Sequence, residues 1–222
     1  VHPPDTLGEE KTLKLYMFPV APNPTRVRLY IAEKSEAGAD LHIEEVSVNL
    51  PEKEQYSENH LRRNPLAKLP VLETDEGIYI TESLAIIEYL EELVPEPTMY
   101  GSTPLERAQT REFERTIETR VLRPLSEMVH ATKSPLGWPP NPGVAAYFGA
   151  TLPKAFEYVE AKLDDGRPLM MGDRPTIADC TMAAAIQFGK IADILIAPEY
   201  KNIHAWDARF RERESAKKVL VL

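Results

Sequence analysis

The feature that most restricts this chain is where its period-two patterning stops. Between Leu13 and Ile80, apolar and polar residues alternate in short runs. After Pro95, Pro97, Gly101 and Pro104, only helical spacing remains. A chain written this way builds an α/β unit first and an all-helical unit second. Leu13, Leu15 and Met17 alternate with Thr12, Lys14 and Tyr16, which predicts a half-buried strand reaching Phe18. Pro19-Val20-Ala21-Pro22-Asn23-Pro24 interrupts it, and Val27, Tyr30 and Ile31 then recur at helical spacing to about Glu33 or Lys34. Asn23 fits the N-cap of that helix, with Pro24 at the first helical position, where a missing N–H costs nothing. Leu41, Ile43, Val46 and Val48 predict a second strand, joined by a crossover long enough for parallel pairing. Pro51 to Leu61 reads as a polar segment with a short helix, broken at Asn64-Pro65. Leu69 to Thr74 and Ile78 to Ile80 form a hairpin around Asp75-Glu76-Gly77, and Ile86, Ile87, Leu90, Leu93 and Val94 make a helical stripe from Glu82 onward.

The expected order for residues 1–94 is β-α-β-α-β-β-α, with a linker at 95–103 and an all-helical domain over 104–222. In the second half, Leu105 to about Val129 is one helical pattern interrupted near Pro124, and Val144 to Leu163 is another, with a bend expected at Pro153. A Pro- and Gly-rich loop from Lys133 to Gly143 carries Trp138 between them. Ile177, Thr181, Ala184, Ala185 and Phe188 form the next stripe, and a final helix is expected over about Glu199 to Arg213. No internal repeat is present.

Composition removes several classes of function. Lys and Arg number 26 against 35 Asp and Glu, a formal charge of -9, so no bulk positive field exists to bind nucleic acid. Cys180 is the only cysteine, which excludes intrachain disulfides and metal sites built on several thiolates. His2, His42, His60, His130 and His204 show no i, i+4 pairing, so no metal is expected. The most apolar stretch, Met182 to Ala197, is broken by Gln187, Lys190 and Asp193 and falls short of the ~20 residues that span a bilayer. Val1 to Lys11 has no apolar signal core. The expectation is a cytoplasmic protein with no membrane or nucleic-acid partner.

Three segments offer chemistry. The helix N-terminus at Asn23 presents unpaired N–H groups and a partial positive charge, suited to an anion such as a thiolate, although capping alone also explains an asparagine there. Leu69-Pro70 leads into a strand and, if cis, would expose the Leu69 main chain to an extended peptide-like ligand. Thr81-Glu82-Ser83 opens a helix with a carboxylate for an amine and a hydroxyl beside it, residue types that capping also favours. Thr176 and Asp179 read as a capping box, hence as structure. His130 and Cys180 likewise read as structural.

In order and spacing, four segments resemble a bacterial-type cytosolic glutathione S-transferase across nearly the whole chain. They are Leu15-Tyr16-Met17-Phe18-Pro19-Val20-Ala21-Pro22-Asn23-Pro24-Thr25-Arg26-Val27-Arg28, Asn64-Pro65-Leu66-Ala67-Lys68-Leu69-Pro70-Val71-Leu72, Thr81-Glu82-Ser83-Leu84-Ala85-Ile86 and Thr176-Ile177-Ala178-Asp179. The resemblance implies a thioredoxin-like N-terminal domain, a helical C-terminal domain and glutathione as co-substrate. It implies a cis Pro70, with Leu69 pairing through its main chain with the cysteinyl part of glutathione. Glu82 and Ser83 would hold the γ-glutamyl end, and Lys68 the glutathione backbone or glycine carboxylate. A homodimer is implied as well.

The pattern departs from the family at the thiol. Ala21 stands at the catalytic-serine position and Pro22 at the cysteine position of the beta-like classes. Met17 stands near the tyrosine position, while Tyr16 should face the opposite side of its strand. Ala21-Pro22-Asn23 resembles the nu-class Thr-Pro-Asn turn, so Asn23, its neighbouring N–H groups and the helix dipole are the expected thiolate stabilisers. Thr25 is second. The expected reaction is attack of the glutathione thiolate on a small hydrophobic electrophile, with Phe113 and Trp138 as candidate lining residues. Alternatives are glutathione-dependent reduction of a disulfide or peroxide, and a non-catalytic interaction protein on the same fold.

Overall fold

The computed structural model describes residues 13–39 and 41–222. The readings made on Val1 to Lys11, on His2 and on Thr12 as the first polar position of the strand lie outside the described residues.

The strands are β1 (Leu13–Met17), β2 (Ile43–Ser47), β3 (Val71–Glu73) and β4 (Tyr79–Thr81), in the sheet order β2-β1-β3-β4. β1 pairs with β2 in parallel and with β3 antiparallel, and β3 pairs antiparallel with β4, placing Leu15 between Glu45 and Leu72. The crossover from β1 to β2 is helix α1 (Pro22–Glu36). A short 3₁₀ turn (Glu54–Tyr56) and α2 (Glu58–Arg63) lead to the hairpin, and α3 (Ser83–Leu93) follows it. This is the thioredoxin-like arrangement.

Period two decides which residue meets which layer. Leu13, Leu15 and Met17 enter the main core with Val27, Leu29, Tyr30, Ile86, Ile87 and Leu90 from α1 and α3, whereas Tyr16 joins Val48 and Val71 on the opposite face. Each fully buried large apolar side chain here contributes about 1.5–3 kcal/mol. Residues 94–103 form no helix or strand, but they are firmly tied. Fully buried Lys34 donates to the carbonyls of Val94 at 2.5 Å and Pro97 at 2.8 Å, and Glu91 accepts from the Thr98 hydroxyl at 2.7 Å and the Met99 N–H at 2.9 Å.

The rest is helical: α4 (Pro104–Ile117), α5 (Arg123–Lys133), α6 (Pro142–Gly149), α7 (Leu152–Lys162), α8 (Ile177–Lys190), α9 (Lys201–Arg211) and α10 (Glu214–Val219). Three expectations are refined. The interruption between α4 and α5 is a π-helical turn over Glu118–Leu122, with Pro124 sitting harmlessly in the first turn of α5. Instead of one helix bent at Pro153, α6 and α7 are separate, parted at Ala150 and Thr151, because Pro153 occupies the start of α7. The expected final helix is likewise two, α9 and α10.

Helix α8 is the centre of the helical half, buried on every side from Ile177 to Gly189. Thr176 and Asp179 form its capping box. The fully buried Asp179 accepts from the N–H groups of Thr176 at 2.9 Å and Met170 at 2.8 Å, the Thr176 hydroxyl at 3.0 Å and the Trp206 indole at 2.9 Å. Cys180 lies beside it, also fully buried, and burial pushes its thiol well above the ordinary range. No helix among the described residues is long and apolar enough to cross a membrane.

Candidate functional site

The loop after β1 places three predicted residues at the start of α1. The helix begins at Pro22, two residues earlier than the sequence suggests, with Ala21 as N-cap and no capping side chain. Asn23 is therefore not the cap but the second helical residue, half-buried and with no hydrogen bond from its side chain to the described residues. The reason lies in Thr25. Its hydroxyl donates to the carbonyls of Ala21 at 2.9 Å and Pro19 at 3.1 Å, fixing the loop from inside, and it accepts from Gln187 at 3.3 Å. Thr25 is fully buried, so its hydroxyl is spent on structure and not offered to a thiol.

This terminus has an unusual donor inventory. Ala21 N–H is bonded to Phe18 and Thr25 N–H to Ala21, while Pro22 and Pro24 have no N–H at all. Asn23 N–H is the one main-chain donor left in the first turn. The expectation of several neighbouring N–H groups thus narrows to a single residue, which supplies both a main-chain N–H and a side-chain amide.

The second predicted segment comes from the other side of the sheet. Leu69-Pro70 is cis. The Lys68 carbonyl is gripped by Asn64 Nδ2 at 3.1 Å and His60 Nε2 at 3.2 Å, both from buried side chains that end α2. Beyond that anchor, the Leu69 main chain has no partner among the described residues, and the Lys68 side chain is exposed. The third segment is the head of α3. Glu82 is exposed and held at φ 65, a left-handed conformation that costs a non-glycine residue of order 1–3 kcal/mol. Ser83, next to it, is buried and accepts from Arg26 Nε at 2.8 Å.

Two clefts flank the start of α1. One, of about 80 Å³, is apolar and is walled by Val20, Ala21 and Pro22 on one side and by Leu136, His130 and Phe188 on the other. The other, of about 240 Å³, is polar and is lined by Asn23 together with Arg115, Glu118 and Thr119. A larger recess of about 460 Å³ near Thr98, Gln109 and Arg174 contains none of the predicted site residues.

The match to known proteins decides what this arrangement belongs to. Residues 11–92 match the family model "Glutathione S-transferase, N-terminal domain" and residues 129–214 match "Glutathione S-transferase, C-terminal domain". Glutathione S-transferase 2 of Saccharomyces cerevisiae is 32% identical, over 96% of this chain and 92% of its own length. The chain belongs to the glutathione S-transferase family. A maleylacetoacetate isomerase of Pseudomonas aeruginosa is 28% identical, over 86% of this chain and 95% of its own. The crystal structure of Gtt2 from Saccharomyces cerevisiae superimposes with a TM-score of 0.82 at 30% identity, covering 93% of this chain and all of the other. The chain is thus a glutathione transferase, with glutathione as co-substrate.

Within this transferase the usual thiol-activating side chains are missing or occupied. Ala21 and Pro22 have nothing to donate. Tyr16 faces the other side of the sheet and its hydroxyl donates a hydrogen bond to Glu73 at 2.5 Å; burial and that bond push its pKa up to about 12. Phe113 is buried in the core, in edge contact with Tyr158, and is absent from the apolar cleft. Trp138 is half exposed and packs on His130 with ring centroids 4.7 Å apart, so it backs the cleft instead of lining it.

His130, read as structural from the sequence, is a wall residue of the apolar cleft. It lines the apolar cleft opposite Ala21 and holds Ser134 Oγ at 3.0 Å through Nδ1. Burial lowers its pKa; the Glu127 carboxylate opposes this and the Lys68 charge adds to it. Its position directly after buried Val129, across from a loop distant in sequence, leaves no local signal.

Proposed function

We propose that glutathione lies across the three open segments with its sulfur at the start of α1, and that a small hydrophobic electrophile enters the apolar cleft. Charge and geometry support this reading. Exposed Glu82 suits the ligand's amine, exposed Lys68 suits its glycine carboxylate, and the free Leu69 main chain suits its peptide group. At the sulfur, Asn23 supplies its N–H and amide, and the helix terminus favours the ionised form. The thiolate then attacks an electrophilic carbon held against Val20, Leu136 and Phe188, with proximity and ionisation supplied by the protein.

The observation that carries the reading is the single free N–H of Asn23 at the start of α1, between the apolar cleft walled by Ala21 and Pro22 and the polar cleft that Asn23 itself lines. Turnover measured with a chlorinated aromatic and with a mixed disulfide tests it. Conjugation of the aromatic is expected. Activity confined to the disulfide would replace the electrophile reading with reduction by the glutathione thiolate, for which buried Cys180 offers no assistance.

The same reading places the enzyme in the cytoplasm, detoxifying such electrophiles as a homodimer. Exposed Ile78 and Tyr79 beside and on edge strand β4, together with exposed Leu105 at the head of α4, support association of two copies. A monomeric mass by sedimentation at micromolar concentration would contradict the dimer.

A further inference from the structure

The two clefts beside the start of α1 are unequal. The apolar one holds about 80 Å³ and the polar one about 240 Å³. The larger is walled by Asn23 on one side and by a single run of helix on the other: Arg115, Glu118 and Thr119 at the end of α4 and its π-helical turn, then Arg123 and Ser126 at the start of α5. An electrophile that meets a sulfur at the start of α1 therefore has more room on the polar side than on the apolar one.

The charges in this cleft do not cancel. Glu118 is the one carboxylate among its described lining residues, and it is already held by Arg26 at 3.0 Å and by Arg115. Arg123 is exposed and has no hydrogen bond or ion pair to any described residue. The Thr119 hydroxyl is spent on the Arg115 carbonyl at 2.8 Å, whereas Ser126 Oγ has no partner among the described residues. In a chain with a formal charge of -9, an unopposed guanidinium in a cleft is the complement of an anion.

The π-helical turn is what brings Arg123 into the cleft. Eight residues of uninterrupted α-helix would leave it roughly 80° around the axis from Arg115, and the extra residue taken up by an i→i+5 turn brings it back to roughly 20°. The turn thus adds a second guanidinium to the wall opposite Asn23.

We propose that Arg123 selects electrophiles that carry a carboxylate, by pairing with that group while the reacting carbon meets the glutathione sulfur at the start of α1. This rests on the reading above, in which the sulfur lies there, and it names the substrate class of that site: a small hydrophobic body with one acidic end. Arg123 meets the substrate away from the reacting carbon, so it acts on binding and orientation. With an aromatic chloride, the sulfur bonds to the carbon bearing chlorine, chloride leaves with the electron pair of the C–Cl bond, and the carboxylate is unchanged.

The test uses an aromatic chloride activated by two nitro groups with a carboxylate para to the chlorine, and the corresponding carboxamide. Each kcat/KM is divided by the rate constant of the same chloride with free glutathione at the same pH, which removes the difference in intrinsic reactivity. The wild-type protein is expected to favour the acid by about fivefold, less than a buried charged hydrogen bond gives because Arg123 is exposed, and added salt should shrink the preference. Arg123→Gln is expected to bring the ratio to about one, and Arg123→Glu to invert it. Neither variant strands a hydrogen-bond or ion-pair partner among the described residues. Arg120→Gln removes the same charge from a nearby position outside this cleft and is expected to keep the wild-type ratio. Equal ratios in wild type and Arg123→Gln, or an equal fall in Arg120→Gln, would overturn the role of Arg123 and leave the transferase reading standing. So would a change confined to KM for glutathione, which would assign the guanidinium to the tripeptide. Turnover of neither chloride by the wild type would overturn the electrophile reading itself, and this proposal with it.

Discussion

Helices α1 and α8 pack against each other, yet their N-termini are finished in opposite ways. At α8, Asp179 collects four donors in a fully buried cap, and the Ile177 N–H is taken by the Met99 carbonyl. At α1, Ala21 caps without a side chain, two prolines remove donors, and Asn23 is left with an unpaired N–H and an unpaired amide. A satisfied terminus contributes stability, whereas an open donor beside a cleft is available to water or to a ligand. The same contrast separates Thr25, whose hydroxyl is consumed by the loop, from Ser83, whose proton is still available.

The largest expected effect lies at the closed end. Asp179→Ala strands three N–H donors and a hydroxyl in the core and should cost about 3–5 kcal/mol, enough to prevent folding or to shift the urea midpoint severely. A variant that melts like the wild type would erase the distinction between the two termini. At the open end the outcome should be reversed. Asn23→Ala is expected to leave stability within about 0.5 kcal/mol while lowering kcat by about tenfold to a hundredfold, the range for loss of one donor to a developing or resident anion. Equal kcat in the two proteins would move the role to the main-chain N–H alone, or to His130.

A third comparison uses pH. Glu114 is pushed up to about 7 by burial, only partly offset by Arg26 and the Thr181 bond. The folded state therefore keeps a proton that the unfolded state releases between about pH 4.5 and 7. The resulting stability is fully present below that window and is lost as pH rises through it. Glu118 shifts the other way: burial would raise its pKa, but Arg26 and Arg115 outweigh it, so its contribution is lost only at lower pH. Urea midpoints of Glu114→Gln and wild type, measured across this window, should diverge in favour of the variant as pH rises; a constant difference would remove Glu114 from the account.

The smallest effect sharpens the contrast most finely. Glu82→Gly relieves the left-handed backbone and should stabilise the protein by about 1 kcal/mol, yet raise KM for glutathione by removing the carboxylate that faces its amine. A gain in stability with no change in KM would mean that the strained residue does not meet the ligand.

Much of this was legible in the residues themselves. The strands around Leu15 and Leu72, the stripe at Ile86 and Leu90, and the capping box at Thr176 are local patterns, and each lies where its spacing puts it. Lys68, Leu69, Pro70, Glu82 and Ser83 were reached through the resemblance to the glutathione S-transferases, and the charges of Lys68 and Glu82 suit a zwitterionic peptide ligand. The start of α1 could not, since Asn23 is a better capping residue than Ala21 on preference alone, and the Thr25 hydroxyl overrode that preference from within the fold. The Arg26 cluster was equally hidden: its partners at Ser83, Glu114 and Glu118 are far along the chain, and no periodicity connects them.

The central claim is that the open start of α1 ionises a bound thiol. Its most direct measurement is a pH titration of the thiolate absorbance of glutathione bound to the wild-type enzyme and to Asn23→Ala. The account predicts a bound-thiol pKa below the ~8.5 of a free cysteine, rising toward that value in the variant. A wild-type value at or above that of the free thiol would contradict it.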